Sequence, residues 1–196
     1  MKTIGITGGI GSGKTTVCKF WESQGARVID ADKLAKEVMI TNKDLIAAIK
    51  KEFGEESYLK NGSLNRAFLA KQAFEQNKVE ILNQLVHPEV YREMDIIKGK
   101  AEKEGVEVLV REAALLLQKG RPKNLDYVVL VLAAKDLRKE RVTARDQASP
   151  EQVEGRMMRQ QNFMELTDLA DFVITNEGSL QDLLVQAEEV YCTITG

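Results

Sequence analysis

The stretch Gly8-Gly9-Ile10-Gly11-Ser12-Gly13-Lys14-Thr15 constrains this chain more than any other. It fits G-x-x-x-x-G-K-[ST], and its surroundings fit as well. Thr3-Ile4-Gly5-Ile6-Thr7 before it reads as a short buried strand. Thr16-Val17-Cys18-Lys19-Phe20-Trp21 after it opens a helix with Val17, Phe20 and Trp21 on one face. Glycines let successive backbone N–H groups turn inward around an anion, at the positive end of the helix that follows. In such a loop Lys14 meets the β- and γ-phosphates and the Thr15 hydroxyl holds Mg²⁺. Glycines alone would suit a strand–helix turn that binds nothing. Gly-Lys-Thr between a strand and a helix makes this a nucleoside triphosphate site.

The rest of the chain reads as alternating strands and helices, broken by two excursions. Strand character recurs at 26–30, at 106–110, in the near-continuous apolar run 127–132 and at 172–174. Alternation of this kind implies a parallel sheet with right-handed crossovers. The first excursion, about 33–105, is helical. Phe68, Leu69, Ala73 and Phe74 suit one helical face, and so do Val79, Leu82, Val86, Val90, Met94 and Ile97, with Pro88 marking a kink or a fresh start. The second, about 135–166, carries Arg138, Arg141, Arg145, Arg156 and Arg159. Ser149-Pro150-Glu151-Gln152 starts its second half as a capping box with proline at the first helical position. A final helix runs from Ser179 with Leu180, Leu183, Leu184, Ala187 and Val190 facing inward.

Composition removes some function classes. With 28 basic and 30 acidic residues and a formal charge of −2, no global basic field draws the chain to nucleic acid or membrane. No apolar run approaches the ~18 residues of a spanning helix, and with the first strand reached at once no signal peptide is expected. Cys18 and Cys192 lie too far apart for metal-ligand spacing, so reduced structural thiols and a cytoplasmic location are expected. A monomer is expected, with an oligomer left open.

Phosphoryl transfer asks a protein for positioning and charge neutralisation. Asp30 and Asp32 follow the second strand, at the sheet edge that faces bound phosphates. On an extended segment, two residues apart, their carboxylates would share a side. Asp32 then takes the acceptor's proton or orients its hydroxyl, and Asp30 helps through the metal's water shell; the alternative is that Asp32 caps a helix beginning at Lys33. Glu112, after the third strand, either serves Mg²⁺ or is a solvated loop acid. Arg141 is the first choice to neutralise the transferring phosphoryl group, ahead of Arg145 and Arg156, with some of the arginines serving only as ion-pair partners. His87, the only histidine, takes no role from pattern alone.

With these residues in view, the chain resembles the dephospho-coenzyme A kinases nearly end to end. The resemblance rests on Thr7-Gly8-Gly9-Ile10-Gly11-Ser12-Gly13-Lys14, on Val28-Ile29-Asp30-Ala31-Asp32, and on Gly62-Ser63-Leu64-Asn65-Arg66 leading to Leu85-Val86-His87-Pro88. It continues with Arg141-Val142-Thr143-Ala144-Arg145-Asp146, followed by Arg156-Met157-Met158-Arg159-Gln160, and with Ala170-Asp171-Phe172-Val173-Ile174-Thr175-Asn176-Glu177-Gly178-Ser179. It implies an α/β P-loop kinase fold with a roughly five-stranded parallel sheet flanked by helices. The core would take 1–32, 106–134 and 167–196, with a helical substrate-binding insertion at 33–105 and an arginine-rich lid at about 135–166. It implies ATP as donor with Mg²⁺, and dephospho-coenzyme A as the small-molecule partner, phosphorylated on its ribose 3′-hydroxyl. It carries Gly11, Ser12, Gly13, Lys14, Thr15 and Thr16 over as ATP contacts, Asp32 as base, and Arg141 as a lid residue on the phosphates. Arg66 and His87 fall in the substrate-binding lobe, and Asn176 near the adenine. One departure stands out. After the third strand the family shows an Asp or Glu, then Pro-Leu-Leu and an acid; here the segment is Glu112-Ala113-Ala114-Leu115-Leu116-Leu117-Gln118, which keeps the first acid but has Ala114 for the proline and Gln118 for the last acid. A regulatory GTPase is a poor alternative, since no Asp-x-x-Gly occurs and Asn42-Lys43-Asp44 lacks the guanine-reading spacing.

Overall fold

The first strand decides the layout. β1 (Lys2–Gly8) is buried from Thr3 to Gly8, which requires partners on both edges and cover on both faces. The computed structural model, which describes residues 1–75 and 78–196, supplies them. β1 is the centre of a five-stranded, all-parallel sheet of order β2-β3-β1-β4-β5. Its other strands are β2 (Arg27–Asp30), β3 (Val108–Glu112), β4 (Tyr127–Leu132) and β5 (Phe172–Thr175). The α/β fold and its parallel five-stranded sheet therefore match the expectation. The loop after a central parallel strand opens at the edge where such sheets bind ligands.

One face of the sheet is covered by α1 (Lys14–Ser23) and α8 (Leu180–Thr195). Val17 and Trp21 from α1, and Leu183, Ala187 and Ile194 from α8, pack on Ile4, Ile6, Val110, Val129 and Ile174. Trp21 is fully buried, and its indole N–H donates to the Ala187 carbonyl at 2.8 Å, so its burial leaves no polar group unsatisfied. Ser179 caps α8 in a capping box with Asp182. Leu180, expected to face inward, is 62% exposed; the buried stripe begins at Leu183.

On the other face, Leu117, Leu125 and Val128 form a smaller cluster with Leu116. A side chain on Gly5 would run into Leu116 and Leu125, so this glycine admits the cover. In the segment after β3, which lacks the proline, Ala113 N–H donates to Ile6 O at 3.1 Å and Leu117 is buried. Gln118 makes an isolated bridge with Gly120.

After β4 come α6 (Lys135–Asp146) and α7 (Pro150–Met158). The capping box at Ser149 forms as expected, with Pro150 in the first turn and Gln152 N–H on Ser149 Oγ at 3.3 Å. Val142, Val153 and Met157 are buried together, with Ile10 of the glycine-rich loop packed against them.

Residues 31–100 form a separate compact unit from 1–30 and 101–196. It contains α2 (Ala31–Thr41), α3 (Lys43–Phe53), α4 (Arg66–Glu75) and most of α5 (Val79–Lys103). Its core includes Val38, Leu45, Ile49, Phe53 and Leu69, and the Tyr58 hydroxyl donates to the Met39 carbonyl at 2.7 Å. α5 passes through Pro88 without a break, and Val86, Val90 and Met94 are buried as expected. The Phe74 side chain lies outside the described residues.

Two boundaries correct the expected ones. β3 starts at Val108, two residues later than expected, because Gly105 (φ 74°) and the bond from Val106 N–H to Ala101 O finish α5 first. Glu112 is thereby the last residue of the strand. α2 starts at Ala31, immediately after Asp30 ends β2, so Asp32 lies in a helical first turn and not on an extended segment. The same-side alternation argued for Asp30 and Asp32 does not hold.

Candidate nucleotide site

Lys14 begins α1, and the loop before it is shaped by left-handed glycines and by tethers from distant elements. Gly13 (φ 105°) is the N-cap and provides no side-chain cap, which leaves the first amides of α1 open to an anion. A side chain there would fall 2.3 Å from Asn176 Nδ2. Ser12 N–H closes the turn on Gly9 O at 3.1 Å, while the Ser12 hydroxyl is buried without a partner. Lys14 Nζ donates to the Gly8 and Gly9 carbonyls at 2.8 and 3.2 Å. The ammonium is thus held over the loop, where it would meet the end of a triphosphate.

Asn176 closes the loop from the far edge of the sheet. It follows β5, is buried, and donates from Nδ2 to the Ser12 carbonyl at 2.8 Å. Its own carbonyl accepts from Arg141 Nη1 at 3.0 Å, and its N–H donates to Leu132 O at 2.8 Å. Replacing it with alanine leaves a buried carbonyl unpaired. Asn176→Ala is expected to lower stability by about 1–3 kcal/mol and to weaken ATP binding through the loop, measured by denaturant melts and nucleotide titration. Unchanged ATP affinity would make Asn176 a tie that the loop does not need.

Thr15 Oγ1 donates to Glu112 Oε1 at 2.9 Å, which joins the start of α1 to the end of β3. The Cys18 thiol, one turn along α1, also hydrogen-bonds to Glu112; burial above all, then Glu112, pushes its pKa far up, so it stays a neutral donor. Asp30 and Ile6 are the register neighbours of Glu112.

A cleft of about 510 Å³ gathers most of the expected nucleotide contacts. Gly11, Gly13, Lys14, Thr15, Thr16, Arg141, Arg145 and Asn176 line it, with Ile10, Val142, Leu180 and Leu183 as apolar wall. The exposed Leu180 therefore has a place: it is part of that wall. Arg145 lines the cleft while bonded to Asp146 at 2.8 Å, and Arg156 meets the same carboxylate at 2.8 Å. Arg145 first, then Arg156, holds the Asp146 carboxyl below its ordinary range. Glu154, bonded by Lys135 and Lys139, is held down to about 2, so those two lysines have a local acceptor as well.

Asp32, Arg66 and His87 belong to the 31–100 unit. Arg66 opens α4 and His87 stands on α5 with its ring edge-on to Tyr91, 6.3 Å between centroids. Both are exposed, and neither side chain has a hydrogen bond or ion pair among the described residues.

Two residues at the loop had been given no role from the sequence. Gln160 Oε1 accepts from Ile10 N–H at 2.9 Å, and Arg138 lies against Gly9 and Gly11. Arg138 falls on one helical stripe with Arg141 and Arg145, a spacing that could have marked it. Gln160 stands in the segment Arg156–Gln160 on which the resemblance rests, but nothing in its spacing points to the loop.

The chain matches the family model for dephospho-CoA kinase over residues 2–182. A dephospho-CoA kinase of Salinibacter ruber is 47% identical over 197 residues, covering 100% of this chain and 99% of that protein. One of Chlorobaculum tepidum is 36% identical and covers 96% and 92%. Among solved structures, a Thermus thermophilus protein superposes with a TM-score of 0.81 at 33% identity, covering 100% and 98%. The dephospho-CoA kinase of Campylobacter jejuni does so at 0.72 and 27%, with the same coverage. With a glycine-rich loop, a lysine and a hydroxyl–carboxylate pair at the sheet's ligand edge, and with these matches along its length, the chain belongs to the dephospho-CoA kinase family.

Proposed function

We propose that the protein transfers the γ-phosphoryl group of ATP to the ribose 3′-hydroxyl of dephospho-coenzyme A, giving coenzyme A and ADP, the last step of coenzyme A synthesis. Family membership supports the reaction. The observation that carries it to these residues is the cleft in which Lys14, Thr15, Arg141 and Arg145 meet the open first turn of α1.

In this reading Gly11, Ser12, Gly13, Lys14, Thr15 and Thr16 hold the triphosphate, chiefly through backbone amides and the Lys14 ammonium. The Ser12 side chain is buried, so its share is backbone shape. Thr15 and Glu112 are the groups that would hold Mg²⁺; an ion that favours phosphate and water oxygens needs only one or two from protein, and this hydroxyl–carboxylate pair fits it. When bound, the ion supplies charge neutralisation on the phosphates. Asp32 takes the proton of the 3′-hydroxyl as that oxygen attacks the γ-phosphorus and the bond to the β–γ bridging oxygen breaks. Arg141 stabilises the charge on the phosphoryl group in flight, and Asn176 and Leu180 stand at the base end of the cleft. The 31–100 unit is the acceptor-binding insertion, with Arg66 and His87 as substrate contacts, and about 135–166 is the lid. The formal charge of −2 provides no basic field for a nucleic-acid partner, the two distant cysteines fit a reduced, cytoplasmic protein, and the reading is of a monomer with an oligomer left open; among the described residues no helix is long and apolar enough to cross a membrane.

Arg141→Ala is expected to lower kcat by about 10²-fold with little change in the KM for ATP, read in a coupled ADP assay. Unaltered turnover would leave Arg141 as a strut on Asn176. The position of transfer is tested by mass spectrometry and ³¹P NMR of the product from dephospho-coenzyme A. A 3′-monoester is expected, and an ester at any other oxygen would sink the assignment of the acceptor hydroxyl.

A further inference from the structure

A second cleft, of about 270 Å³, opens beside Gly9. Its walls include Leu132 at the end of β4, Ala133 after it, Arg138 of α6, Gln161 and Phe163. The Arg138 guanidinium rests directly on the loop: a side-chain carbon on Gly9 would stand 1.9 Å from its Nη1 and 3.5 Å from the Phe163 ring. The main chain of Arg138 also approaches Gly11, where a side-chain carbon would come within 2.7 Å of its carbonyl oxygen. Because that atom is backbone and cannot swing away as the guanidinium can, Gly11 is the residue that lets α6 pack against the loop.

Its charge has no local answer. Lys135 and Lys139 share Glu154, Arg145 and Arg156 share Asp146, and Arg141 has the Asn176 carbonyl. Arg138 has no carboxylate among the described residues, and its Nε is buried with no acceptor. Partial burial pushes its pKa down. Gln161 Nε2, in the same cleft, is also buried with no acceptor. Buried donors are almost always paired, so two orphans lining one cleft beside a phosphate loop call for an acceptor that arrives with a ligand.

We propose that this cleft is a second anion subsite, in which Arg138 and Gln161 donate to phosphoryl oxygens at the Gly9 end of the loop. The inference rests on the kinase reading above. Phosphoryl oxygens reach that point from two sources: the γ-phosphoryl group of ATP, or the diphosphate of the acceptor. Lys14, bonded to the Gly8 and Gly9 carbonyls, brings a second cation to the same end of the loop.

The test uses Arg138→Gln and Gln161→Leu in the full chain, with Kd for ATP and for ADP from equilibrium titration and KM for dephospho-coenzyme A from turnover. If the γ-phosphoryl group is the ligand, Arg138→Gln weakens ATP about 10- to 100-fold and leaves ADP and the acceptor unchanged. If the acceptor diphosphate is the ligand, its KM rises by a similar factor while both nucleotides are unaffected. Gln161→Leu shifts the same constant in the same direction by less, and it decides the matter if Arg138→Gln does not fold. Equal weakening of ATP and ADP, meaning a distorted loop, or no shift beyond twofold in any constant, overturns the subsite. The nucleotide titrations need no acceptor, so a chain that proved inactive on dephospho-coenzyme A would defeat the acceptor assignment and leave this test standing.

Discussion

Asp32→Asn is expected to lower kcat by about 10²- to 10⁴-fold while the Kd for ATP stays within about twofold of the parent. Asparagine keeps the shape of the side chain and one acceptor oxygen, but it cannot take a proton. The competing role for this residue is structural, since Asp32 stands in the first turn of α2, where an acid is favoured by the amides and the helix dipole. Magnitude separates the two. A first-turn acid contributes about 0.3–1 kcal/mol, whereas a hundredfold fall in kcat is about 2.7 kcal/mol of barrier. Turnover at saturating substrates, with a denaturant melt of the same variant, reads both quantities. A small stability loss with kcat within tenfold of the parent would leave Asp32 as a helix-start residue.

Lys14→Met is expected to lower kcat by about 10²- to 10³-fold and to weaken ATP as well. Lys14 Nζ sits on the Gly8 and Gly9 carbonyls at 2.8 and 3.2 Å, so it has a structural task too. Those carbonyls belong to Gly8 and Gly9, both buried, and methionine fills only the space of the aliphatic stem. Losing the donor is expected to lower stability by about 1–3 kcal/mol beside the fall in turnover. A strut alone would give that loss of stability with nearly normal turnover at saturating ATP.

The part of the site that is local in the chain was readable in the sequence. β1, the loop and α1 are contiguous, and Gly-Lys-Thr between an apolar run and an amphipathic one admits few other structures. Capping chemistry was readable for the same reason, as at Ser149 and Gln152. The errors came where one element's end is set by another. β3 begins late because Val106 completes the exit of α5, and this makes Glu112 a strand residue beside Asp30. Asp30 ends β2 and α2 follows at once, which defeats an argument from strand alternation. Leu180 is apolar at the start of an amphipathic helix, yet it faces the cleft and not the core. Asn176 and Gln160 stood in motifs that the resemblance picked out, but their hold on the loop's backbone was not legible. Gln160 holds the Ile10 amide across 150 positions of chain, and Asn176 holds the Ser12 carbonyl across 164. Such contacts exist only once the sheet has placed both partners.

The most direct test is a coupled ADP-release assay with Mg-ATP, in which dephospho-coenzyme A competes as acceptor with adenosine, AMP and shikimate. ADP release is expected to depend on dephospho-coenzyme A and to match the coenzyme A formed mole for mole. ADP release that ignores dephospho-coenzyme A, or that is faster with another acceptor, would contradict it.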